Sequence, residues 1–129
     1  MGNSIVRQKS YDFALRVVKL CAHLKEQKQF EVANQLLRAG TAIGANVEEA
    51  LAGSSRRDFG AKRCIASKEA RETHYWLRLL TDAEIVTAED GKELLPASEE
   101  LVKMLTSIVK TTTERKPYPT EGKQLKTKN

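Results

Sequence analysis

Two runs of apolar residues with a helical period meet at one punctuation mark, Gly53 to Asp58, and this pairing constrains the chain more than any other feature. Before the mark, Val32, Leu36, Ile43, Val47 and Leu51 recur four or seven residues apart. After it, Phe59, Ala66, Ala70, Thr73, Leu77 and Leu80 recur three, four or seven apart. Both spacings trace one face of an α-helix. Gly53 has no Cβ and suits the left-handed position that ends a helix. Ser55 can cap the next helix, with Asp58 three residues on completing a capping-box pattern. The stretch from Gln35 to Leu80 therefore reads as two long helices joined by a short break.

The flanks extend the pattern. Helix one is expected from about Ser10 to Gln27, with Phe13, Val17, Leu20 and Leu24 inward and Ala14, Val18 and Cys21 widening the stripe. Helix two spans Glu31 to Ala52 and helix three Arg56 to Asp82. Thr87 with Asp90 resembles a further cap, opening a short turn that Gly91 and Pro96 interrupt. Pro96 is then placed in the first turn of helix four, where its missing N–H would have no partner. That helix carries Leu101, Leu105 and Ile108, flanked by Val102, Met104 and Val109, and fades by Glu114. The expected architecture is all-α, an antiparallel up-and-down four-helix bundle over residues 1–114. Residues 115–129 read as a basic flexible tail.

Composition supports a single helical domain. Aromatic residues make up only 5% and β-branched runs are scarce, which argues against a sheet. No apolar run approaches the ~20 residues of a membrane span. The N-terminus has no apolar signal-peptide core, so a cytoplasmic location with reduced, buried Cys21 and Cys64 is expected. The net charge is +5, yet Arg115 to Asn129 holds five Lys and Arg against one Glu. The body is thus nearly neutral, which permits acidic partners without demanding them.

Two features of the central helices need a use. Gly40 and Gly44 lie one turn apart on helix two, and each interior glycine costs up to ~1 kcal/mol relative to alanine. Their spacing lets two backbones approach closely, either inside one subunit or between subunits. On helix three, Ile65 and Trp76 stand to one side of the core stripe, a flank suited to a second subunit. A third sector of helix three holds Arg57, Lys68, Arg71, Tyr75 and Arg78, with Arg56 and Lys62 nearby. It is a candidate nucleic-acid-binding face, because cations neutralise phosphates and a tyrosine can stack on a base.

No catalytic chemistry is legible. A di-metal carboxylate site needs Glu-x-x-His on two helices, and here Glu72 stands at the third position after Glu69. Cys21, His23, Cys64 and His74 lack zinc-ligand spacing. Gly40 and Gly44 have no Walker lysine. The expectation is no enzyme, no metal and no cofactor.

The segments QLLRAGTAIGANVEEA, RRDF and KEARETHYWLRLL resemble the 23S rRNA intervening-sequence proteins, with looser likeness in YDFALRVVKL and ELVKMLTSIVKT. Asn46, Val47 and Glu49 fit the NIAEG-like end of the family's second helix, whereas Glu48 and Ala50 replace a small residue and a glycine. The resemblance implies a four-helix bundle that assembles as a homopentamer without catalytic activity. The chain is also similar to accessory proteins of diversity-generating retroelements. That likeness implies RNA or DNA and a reverse transcriptase as partners. A protein-interaction scaffold without nucleic acid is the alternative.

Overall fold

Val6, Ser10, Phe13, Val17, Leu20, Cys21 and Leu24 are all buried, one continuous stripe along the first helix. This is why α1 runs Gly2–Glu26 and starts well before the expected Ser10. The remaining helices are α2 (Phe30–Ala52), α3 (Arg56–Asp82) and α4 (Ala88–Glu114). The structure is a computed structural model that describes residues 2–53 and 55–114, with side chains at 5–53 and 55–107. The expected tail 115–129, and the side chains of Ile108 and Val109, lie outside the described residues.

Short connections force neighbouring helices to run antiparallel. Each helix packs on the next in chain order, and α1 closes the bundle on α4 with the slightest contact. α1 and α3 are therefore diagonal, as are α2 and α4. The described residues contain no strand. The expected all-α up-and-down four-helix bundle is the fold observed.

The α2–α3 break follows the expected cap. Ser55 Oγ accepts the backbone N–H of Asp58 at 3.1 Å. Gly53 does not take the expected left-handed conformation; it is extended, with φ −66° and ψ 151°. A Cβ there would make a tight 3.3 Å contact with Asp58 Cβ. Among the described residues the non-glycine positions with left-handed backbone are Lys28 (φ 65°) and Glu84 (φ 63°), at the ends of α1 and α3. At each end two backbone bonds close the helix: Gln29 N–H to Leu24 and Lys28 N–H to Lys25, then Ile85 N–H to Leu80 and Glu84 N–H to Thr81. This is the Schellman pattern with a side-chain-bearing residue where glycine is usual.

α4 is one uninterrupted helix, which corrects the expected break at Gly91 and Pro96. Thr87 Oγ1 caps it by accepting Asp90 N–H at 3.1 Å. Gly91 is buried against α3, where a Cβ would fall 2.7 Å from Thr81 Cγ2. Pro96 lies in the helix interior on the exposed side, so it removes one ladder donor without driving its ring into the core. Further along, His74 of α3 and Ser98 of α4 meet at 2.8 Å, and Ser98 Oγ also donates to Leu95 O.

Two side chains depart from the expected core. Cys64 is exposed while Cys21 is buried, so only one thiol is where both were expected. Arg63 is fully buried, with its guanidinium 4.8 Å from the Phe59 ring centroid. Burial lowers its pKa from the ordinary arginine value.

Candidate nucleic-acid interface

α3 places its cations by helical period alone. Core residues Ala66, Ala70, Thr73, Leu77 and Leu80 are all buried. With about 100° between residues, Arg57, Lys68, Arg71, Tyr75 and Arg78 then fall in one outward sector about 80° wide. All five are exposed. From Arg57 to Arg78 the row extends roughly 30 Å along the helix axis.

The structure does not bring the other two candidates into this row. Lys62 is half-buried, turned roughly 120–140° away from Lys68 and Tyr75. Arg56 is exposed at the start of α3, about 40° outside the sector on its Arg78 side and about 100° from its neighbour Arg57. The site residues that share a face are thus five of the seven expected.

Within the row the side chains are differently held. Arg71 Nη1 donates to Ser67 Oγ at 2.8 Å, anchoring it to a buried hydroxyl. Arg57, Lys68 and Arg78 have no ion pair among the described residues. Tyr75 is 51% exposed and meets the Trp76 ring edge-on, centroids 5.9 Å apart at 71°.

Glu69 and Glu72 border this face and would weaken its positive field. Arg38 of α2 offsets them, donating to Glu69 at 3.2 Å and also to Glu72. The Glu72 hydrogen bond, followed by the charges of both carboxylates, raises the Arg38 pKa against a lesser opposing effect of burial. Arg38 is the neighbour of this face that the sequence does not reveal. It belongs to another helix, and no periodicity within α3 points to it.

The other expected interface residues are found in different settings. Gly40 is buried against α1, where a Cβ would lie 2.8 Å from Val17 Cγ1. Of the two uses open to it, close packing inside one subunit is the one observed. Gly44 also faces α1, where a Cβ would lie 3.5 Å from the Ser10 backbone oxygen. Trp76 is half-buried against the chain's own core and donates Nε1–H to Glu72 at 3.3 Å. Ile65 is exposed.

Among the described residues no group of three or more His, Cys, Asp or Glu is placed to hold a metal ion. Cys21 is buried on α1, Cys64 is exposed on α3, and His74 is engaged with Ser98. No described helix is long and apolar enough to cross a membrane.

The family model of the 23S rRNA-intervening sequence proteins matches residues 2–107, which is the described bundle almost end to end. The chain belongs to this family. A solved relative agrees: a protein of unknown function from the S23 ribosomal protein family of Bacteroides thetaiotaomicron. It is 47% identical, with a TM-score of 0.80, over 85% of this chain and 99% of the relative. No curated protein matches the chain. For this intervening-sequence family member, the resemblance read from QLLRAGTAIGANVEEA and KEARETHYWLRLL thus extends to the whole bundle.

Proposed function

We propose that this chain is a non-enzymatic, homo-oligomeric four-helix bundle that acts in the cytoplasm as an accessory scaffold for nucleic acid. The observation that supports it is the row of Arg57, Lys68 and Arg78, free of ion pairs among the described residues, beside the exposed Tyr75. Cations on a rigid helix neutralise phosphates whatever the base, and an exposed ring offers a stacking platform. Binding of this kind is largely independent of sequence. A homopentamer, the assembly implied by family resemblance, would repeat the row and raise avidity by ~10²–10⁴ where geometry allows simultaneous contact. RNA or DNA is the ligand, and a reverse transcriptase is the protein partner that the resemblance implies.

The test is fluorescence anisotropy with labelled single-stranded RNA and DNA over a salt series. Log affinity is expected to fall linearly with log salt concentration. No binding at low salt overturns the nucleic-acid reading. Light scattering coupled to size exclusion tests the assembly separately.

Leu79 is exposed one turn from Tyr75, and Ile65 is exposed further along α3, which favours a second reading. In it the same face docks a protein and nucleic acid plays no part. Partner retention insensitive to salt, without oligonucleotide binding, would support that alternative.

A further inference from the structure

α1 is amphipathic twice over. Besides its buried stripe it carries Tyr11, Leu15, Val18 and Ala22, spaced four, three and four residues apart and all exposed. Tyr11 is 63%, Leu15 47% and Val18 44% exposed, so the row is not a frayed edge of the core. The four fall within a sector about 60° wide. On α3, by contrast, Lys68 and Glu72 interrupt the exposed Ile65, Tyr75 and Leu79.

Charge indicates what could cover this row. α1 holds five Lys and Arg against two acids. Between Ala88 and Ser107, α4 holds five acids against two lysines. α4 also bears a shallow groove floored by Pro96, Ala97 and Met104 and rimmed by Glu99, Glu100 and Lys103. Glu100 reaches Lys9 at 3.4 Å and Glu99 reaches Lys103 at 3.9 Å. These are exposed pairs, weakly held and easily exchanged.

We infer that the α1 row of one copy docks in the α4 groove of a second copy. The apolar row lies on the Pro96–Ala97–Met104 floor, and Lys19 beside it faces Glu99 and Glu100. This deepens, and rests on, the proposal that the chain self-associates. A chain cannot fill its own groove with its own row. Lys9, the residue that faces α4, lies about 150° round α1 from the row. Row and groove are different surfaces, so the contact is heterologous, and repetition closes a ring when the rotation between copies allows. The basic face of α3 stays uncovered.

Light scattering with size exclusion, at micromolar concentration, compares the wild type with Leu15→Glu/Val18→Glu. The expected result is a multi-subunit wild type and a folded monomeric variant, with helicity checked by circular dichroism. A cross-link decides the matter should the variant misfold. In a Cys64→Ser background, Val18→Cys chains mixed with Lys103→Cys chains should form a disulfide between copies. A multimeric wild type without that disulfide, or a multimeric folded variant, overturns this interface and leaves self-association standing. A monomeric wild type overturns both. Loss of binding to phosphatidylserine vesicles by the double variant of a monomeric wild type would assign the row to a lipid surface instead.

Discussion

A Cβ on Gly40 would lie 2.8 Å from Cγ1 of Val17, closer than real side chains approach. Valine is stiff at χ1 and Val17 is fully buried, so it cannot swing aside. Gly40→Ala is therefore expected to destabilise the bundle by about 1–3 kcal/mol, outweighing the ~1 kcal/mol of helix propensity it gains. At Gly44 the nearest atom, Ser10 O, is 3.5 Å away, an ordinary contact. Gly44→Ala should be neutral or stabilising by up to ~1 kcal/mol. Urea melts of both variants check the opposite signs.

The left-handed Lys28 and Glu84 predict stabilisation. A side-chain-bearing residue there costs roughly 1–2 kcal/mol, while glycine adds about 0.5–1 kcal/mol of unfolded-state entropy. Lys28→Gly and Glu84→Gly should each gain about 0.5–1 kcal/mol, additively, since they lie at separate helix ends. Thermal denaturation of the single and double variants reads this directly.

Leu77 is fully buried in the middle of α3. Leu77→Ala should cost ~2–5 kcal/mol through lost burial and a residual cavity. Chemical denaturation at unchanged m-value is the measurement.

The two thiols should differ sharply. Burial pushes the Cys21 thiol from its ordinary 9.0 up to about 11, against a smaller opposing pull from Lys25. Cys64 is exposed. A thiol reagent should label Cys64 alone in the folded chain and both residues in denaturant. Between those two values the unfolded chain loses the Cys21 proton while the folded chain keeps it. The thiol therefore lowers stability as pH rises through that window and has no effect below it.

Charge reversal by Lys68→Glu, Arg71→Glu and Arg78→Glu should abolish retention on a polyanion and leave helicity intact. Arg56→Glu, off the shared face, should weaken retention less. Heparin chromatography with circular dichroism separates the two effects.

Local signals carried most of the fold. Ser55 and Asp58 announced the α2–α3 break because a cap is chemistry among four adjacent residues. Gly91 and Pro96 misled for the converse reason. Both are breakers by local rules, but Gly91 lets α4 approach Thr81, and Pro96 sits where only one backbone bond is lost. Arg63 falls between Phe59 and Ala66 on the core stripe, yet a charged residue is discounted there. Val18 widens the stripe of helix one by its spacing, yet it lies on a second, exposed row. The α3 cations were legible from period alone, whereas Arg38, which offsets Glu69 and Glu72, required knowing which helix lies alongside.

Ser98 has one hydroxyl hydrogen, and it points to Leu95 O. Towards His74 its oxygen can only accept, so Nδ1 must carry a proton. The clasp between α3 and α4 therefore selects one tautomer of its own histidine. Nitrogen chemical shifts of His74 should report a single form, protonated at Nδ1.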